Sequence, residues 1–125
     1  MPKRSTLTRR PIDPSEILES VKDSSAGGTV LFIGTIRNRN KGNRVEKLEY
    51  QTYRAMAQRR MEEIASEVKK KWKVVKIRLV HREGVLRVGE VSVAVAVSAE
   101  HRAEAFEAAR PSRKWLGEGE ARPSR

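Results

Sequence analysis

Residues 91–97, Val-Ser-Val-Ala-Val-Ala-Val, carry valine at every odd position and serine or alanine at every even one. A period of two belongs to a β-strand, whose successive side chains point to opposite faces. The valine face has to be buried. The other face, Ser92, Ala94 and Ala96, has neither charge nor bulk, so it is expected to lie against a helix or a second chain. A chain with such a strand must build a sheet that is covered on both sides.

Other segments can supply the sheet and its cover. Ala57, Met61, Ile64, Val68 and Trp72 recur at spacings of 4, 3, 4 and 4, which puts them on one face of a helix, with charged residues around the rest. Residues 29–37 are β-branched-rich and apolar on both faces, so they read as a central strand finishing near Arg37, with Gly34 marking a bulge or a close backbone approach. Residues 73–82 alternate Val75, Ile77 and Leu79 against Lys76 and Arg78, the pattern of a half-buried strand. Shorter strands are expected over residues 45–51 and at Val85, Leu86 and Val88, with turns at Glu83-Gly84 and Gly89-Glu90. Asp13 and Pro14 make a helix start ahead of the stripe Ile17, Leu18 and Val21. Ser98 is placed to cap a last helix beginning near Glu100. Residues 38–44 contain no apolar side chain and should form an exposed, mobile loop. Two to three helices among five strands describe an α+β domain with an antiparallel or mixed sheet.

Length and charge set further bounds. The 125 residues, 38% of them hydrophobic, suffice for one domain with one core. Zero cysteine excludes a disulfide framework, a thiolate metal site and a cysteine nucleophile from this chain. The longest uncharged stretch, residues 24–36, is too short to cross a bilayer, and no apolar run follows the basic start, so a cytoplasmic protein is expected. Of the formal net charge of +11, much is terminal: residues 1–10 hold four bases and no acid, and residues 110–125 hold five bases against Glu118 and Glu120. Aromatic residues, at 5%, are too few for a stacking surface, which argues against nucleic acid as the partner and leaves a small basic RNA-associated module as an alternative reading. The expected layout is a basic N-terminal arm over residues 1–11, a domain over 12–110 and a low-complexity, disordered tail over 111–125. In that tail Pro111 should break the last helix, and Ala-Arg-Pro-Ser-Arg occurs twice.

Three basic positions fall where elements end: Arg37, His81-Arg82 and His101-Arg102. Such places suit anions, because free N–H groups point outward and guanidinium forks match phosphate. No P-loop, nucleophile elbow, dinucleotide fingerprint or metal-ligand spacing accompanies them.

Several separate motifs, in order, carry a resemblance. They are Gly-Thr-Val-Leu-Phe-Ile-Gly-Thr-Ile-Arg-Asn at 28–38, Leu-Glu-Tyr-Gln-Thr-Tyr-Arg-Ala-Met at 48–56, His-Arg-Glu-Gly at 81–84, Val-Gly-Glu at 88–90 and Val-Ser-Ala-Glu-His-Arg-Ala-Glu-Ala-Phe-Glu at 97–107. Over residues 12–110 the chain resembles the catalytic (large) subunit of molybdopterin synthase. The resemblance implies an α/β-hammerhead type of fold and a sulfurtransferase of molybdenum cofactor biosynthesis. It implies a homodimer within a heterotetramer, partnered by a small ubiquitin-like sulfur carrier whose C-terminal thiocarboxylate sulfurates cyclic pyranopterin monophosphate. Neither metal nor cofactor is implied. Arg37, His101 and Arg102 align with the basic substrate pocket of that family and Phe32 with an apolar residue beside it. The two lysines of the family fall on Gly117 and Ser124, with Lys114 the nearest substitute in sequence, so the resemblance also implies slow turnover or a catalytically inactive dimeric member.

Overall fold

In the computed structural model, which describes residues 4–40, 43–44, 47–50, 53–116 and 121–124, the chain runs β1 (Ser5–Thr8), α1 (Pro14–Ser20), β2 (Gly28–Thr35), β3 (Arg39–Asn40), β4 (Asn43–Arg44), β5 (Lys47–Tyr50), α2 (Arg54–Lys71), β6 (Val74–Arg82), β7 (Gly84–Arg87), β8 (Val91–Ala99), α3 (Arg102–Leu116) and β9 (Ala121–Ser124). The alternating segment is β8. It lies inside a four-stranded mixed sheet of order β1-β6-β8-β2, antiparallel to both neighbours, while β1 joins β6 in parallel.

Each face of β8 has its own cover. Val93, Val95 and Val97 pack with Ile77 and Leu79 against Met61, Ile64, Ala65 and Val68 of α2 and Ala105, Ala108 and Ala109 of α3. At roughly 1.5–3 kcal/mol per buried valine, this layer is the main apolar core. On the other face Ala94 and Ala96 pack with Ile17 of α1, its C-cap Val21 and Val80. Of the two covers open for the small-residue face, the helix is the one realised, and Ser92 is buried with its hydroxyl donating to Gly34 O at 3.2 Å.

Because α1 covers that face, β6 is buried on both sides, and the half-buried reading of residues 73–82 is corrected. Arg78 is buried, not solvent-facing, and its guanidinium reaches Glu16 of α1 at 3.1 Å. Gly34 fulfils both of its expected roles. The β2–β8 register shifts between Gly34 and Thr35, and a Cβ at Gly34 would lie 2.6 Å from a Val93 methyl. Ser98 is a fully buried residue of β8 and not a helix cap, since α3 begins only at Arg102.

Regular backbone extends beyond what the pattern of residues suggests. Residues 38–44 hold the β3–β4 pair, Arg39 opposite Arg44 and Asn40 opposite Asn43, in place of an open loop. Helix α3 continues past Pro111 to Leu116. A proline there forfeits one helical hydrogen bond and costs about 3 kcal/mol, but the preceding turns are pinned by the buried Ala105, Ala108 and Ala109. Farther on, β9 pairs with β5, which also pairs with β7, in a second sheet of order β7-β5-β9.

The N-terminal segment is likewise more than an arm. Leu79 N donates to Arg4 O at 2.6 Å and Glu83 N to Thr8 O at 2.8 Å, so β1 completes the sheet edge. With Leu7 as its single large apolar residue, β1 is held by polar ties to α2. The Ser5 hydroxyl donates to Glu62, the Arg4 guanidinium pairs with the same carboxylate, and Gln58 Nε2 donates to Ser5 O at 2.8 Å. Partial burial pushes the Glu62 carboxyl up, but the Ser5 and Arg4 hydrogen bonds outweigh it and hold the group below its ordinary value. Removing the Ser5 hydroxyl would leave the Glu62 and Gln58 groups short of a buried partner, so Ser5→Ala is expected to destabilise the fold by about 1–3 kcal/mol. Urea denaturation at pH 7 checks this; an unchanged midpoint would show that the hydroxyl does not hold β1.

Candidate functional site

Strand β2 lies at the edge of the sheet, and the basic residues singled out from the sequence sit at its two ends. At its start, Gly27 N donates to Ala99 O at 2.9 Å and to Glu100 O at 3.1 Å, tying β2 to the end of β8. Gly28 then passes directly under the start of α3. A Cβ on Gly28 would lie 2.9 Å from Arg102 Cα and 3.1 Å from Arg102 N, so only glycine permits the approach. His101 and Arg102 are both exposed here, at the N-terminal turn of α3, where the helix dipole and free N–H groups favour an anion.

At its other end β2 runs into the β7–β8 turn. Ile36 N donates to Glu90 O at 3.0 Å and Gly89 N donates to Ile36 O at 2.7 Å, so the exposed Arg37 leaves the sheet against this turn. The turn depends on Gly89, whose φ of 91° lies in the left-handed region. Glu90 fixes it from within: the carboxylate pairs with Arg82 and accepts from Arg87 N at 3.1 Å. The Arg82 hydrogen bond above all, then the Arg87 N–H, holds the Glu90 carboxyl below its ordinary value.

Of the basic positions at element ends, His81 and Arg82 drop out as free cations. His81 is 2% exposed within β6, and burial pushes its imidazole below its ordinary value, which keeps it neutral. Arg82 is committed to Glu90. Arg37 and Arg102 remain, with His101, whose Nε2 lies 3.7 Å from Glu100 Oε1, but one chain does not bring Arg37 together with the other two. Gly28, under Arg102, pairs with Ala99, and Thr35, near Arg37, pairs with Val91, at opposite ends of β8. From Gly28 to Arg37 the strand spans about 30 Å at its ordinary rise.

Phe32 lies between the two ends. Half-buried against the valine core, it lines a groove of about 300 Å³ with Val30, Leu31, Phe106, Ala109 and Arg110. Phe106 is 58% exposed on the rim, and Arg110 adds a cation. Sequence reasoning missed both as site residues, although their spacing of four on one helix face is the signal that unites them. Gly117 lies outside the described residues, Ser124 falls in β9 and Lys114 on the continuation of α3. Among the described residues, no group of three or more His, Asp or Glu side chains is arranged to hold a metal ion, and no helix is long and apolar enough to cross a membrane.

The sequence matches the MoaE protein family over residues 7–112. The molybdopterin synthase catalytic subunit of Bacillus subtilis is 39% identical over 106 residues, covering 85% of this chain and 68% of that protein. That of Pyrococcus abyssi is 44% identical over 105 residues, covering 82% and 71%. Among solved structures, molybdopterin synthase from Staphylococcus aureus matches with a TM-score of 0.86 at 30% identity, covering 94% of this chain and 86% of that one.

The buried imidazole generates a prediction. Because the folded state disfavours His81 in its charged form, the unfolded chain binds more protons once pH drops below about 6.5, the ordinary histidine value. Stability should therefore fall as pH is lowered through that value toward the lowered value in the fold, and His81→Gln should remove this part of the slope. Denaturant midpoints between pH 7.5 and 5 check it; parallel slopes for the two proteins would contradict it.

Proposed function

This chain belongs to the MoaE protein family, and on that footing we propose that it works as the catalytic subunit of molybdopterin synthase in the cytoplasm, moving sulfur from a thiocarboxylated small subunit into cyclic pyranopterin monophosphate. Both reactants are anions. The sulfur of a thiocarboxylate is the nucleophile, and it must approach a phosphate-bearing pterin. Cations that gather the two charges offset their repulsion and fix their orientation. Arg37, His101 and Arg102 are exposed cationic or protonatable groups suited to that work, and Phe32 offers an apolar wall for the pterin ring.

The observation that carries the reading is the placement of these groups at opposite ends of one edge strand. We infer that the chain acts as a homodimer in which the free edge of β2 meets its own copy. Two β2 strands related by a two-fold axis run antiparallel, so the Arg37 end of one protomer faces the Arg102 end of the other. The Phe32 groove and the exposed Phe106 flank that edge and give it apolar surface to bury. The small Ser92, Ala94 and Ala96 face is excluded as the dimer surface, because α1 already covers it.

Single-turnover assay with a thiocarboxylated small subunit and cyclic pyranopterin monophosphate tests the activity; no sulfur incorporated by any form of the chain would overturn it. Arg37→Ala and Arg102→Ala are each expected to weaken substrate binding by about tenfold or more, the worth of one charge-assisted hydrogen bond, with the folding midpoint unchanged. Calorimetric titration reads the affinities, and light scattering should give twice the 14.2 kDa of one chain.

A further inference from the structure

Arg37 has two basic neighbours that belong to neither motif nor core. The β7–β8 turn that receives Ile36 begins at Arg87, and Arg87 stands directly opposite Lys47 in the β7–β5 ladder. Directly opposed residues on adjacent strands have Cβ atoms about 4.5–5.5 Å apart, and like charges there repel. Leu86, the preceding residue of β7, is fully buried, so alternation turns the Lys47 and Arg87 row outward; Arg87 is exposed and Lys47 half-buried.

Among the described residues, no ion pair includes Arg37, Lys47 or Arg87. The Glu90 carboxylate feels the charge of the Arg87 guanidinium, but its two oxygens are engaged elsewhere, one by the Arg82 guanidinium and the other by Arg87 N. In the ladders Glu49 is paired with Val85 and Arg122. Opposing two cations across a ladder beside a third at the adjoining turn leaves a repulsion that Glu90, shared with Arg82, offsets only in part. An anion arriving there converts the repulsion into attraction.

We propose that Lys47 and Arg87 complete, with Arg37, a three-cation site for a compact anionic group at the β7–β8 turn. The proposal rests on the functional reading above, which supplies two sources for that group: the phosphate of the pterin, or the C-terminal carboxylate or thiocarboxylate of the small subunit. Lys47 also stands directly across the β5–β9 ladder from Ser124. The row that has no ionisable group at position 124 therefore carries an amine one strand away.

The test uses the full chain with Arg37→Ala, Lys47→Ala, Lys47→Arg and Arg87→Ala, titrated in parallel with inorganic phosphate and with a small subunit ending in an ordinary carboxylate. Lys47→Ala and Arg87→Ala should each weaken binding of one of these probes about tenfold, and Lys47→Arg should keep most of the affinity. Loss confined to the phosphate arm assigns the site to the pterin; loss confined to the other arm assigns it to the small-subunit tail. Without anion, both alanine variants should melt at or above the wild-type temperature, because a repulsion has been removed; a fall in melting temperature with unchanged affinity would show an ordinary structural role and overturn the proposal. Unchanged affinity for both probes in Lys47→Ala and Arg87→Ala, with weakening in Arg37→Ala, would overturn it while leaving the functional reading in place. Unchanged affinity in all four variants would overturn both.

Discussion

The two-sided burial of β8 is the constraint from which the rest of the structure follows. Its valines require α2 and α3 on one face and its small residues admit α1 on the other. Once both faces are taken, lateral growth of the sheet is the remaining freedom, and β6 and β2 fill the two flanks. One outer position is then closed by β1 through hydrogen bonds and the Ser5, Glu62 and Arg4 cluster. The other, along β2, stays at the edge, with Phe32 on it and Arg37, His101 and Arg102 at its two ends.

That arrangement explains why the proposed site is extended. A close approach at Gly28 sets one end of β2 under α3, and a bulge at Gly34 followed by the Gly89 turn sets the other end near Arg87. Strand geometry keeps the two ends apart within one protomer, whatever the side-chain rotamers. The proposed two-fold pairing of β2 with its copy would turn that separation into proximity, because antiparallel pairing exchanges the ends.

Much of this was legible in the sequence because burial imposes periodicity. The stripe from Met61 to Val68, the β8 alternation, the Gly34 irregularity and the turn at Gly89 all appear as expected from residue type and spacing, while Gly84, expected in a turn, opens β7 with a positive φ. What escaped was stabilised by polar or long-range contacts, which leave no period. Strand β1 holds one large hydrophobe and depends on side chains of α2 more than fifty residues away. Arg78 reads as a surface residue until Glu16 of α1 is seen to meet it. His81 and Arg82 looked like part of an anion site because they are basic and near a strand end; burial of one and pairing of the other removed them. Which ends of which strands meet is a property of register, and no local pattern encodes it.

The central claim is that Arg37 of one protomer and Arg102 of the partner subunit serve one substrate. Complementation tests it most directly. Arg37→Ala and Arg102→Ala proteins, each assayed in single-turnover sulfur transfer at a substrate concentration low enough that weakened binding leaves little activity, are mixed under conditions that exchange protomers. If the site spans the dimer, each mixed dimer regains one intact site, and random exchange should restore roughly a quarter of wild-type activity. If both arginines act within one chain, no mixed dimer contains an intact site, and activity that stays at the level of the separate variants would contradict the account.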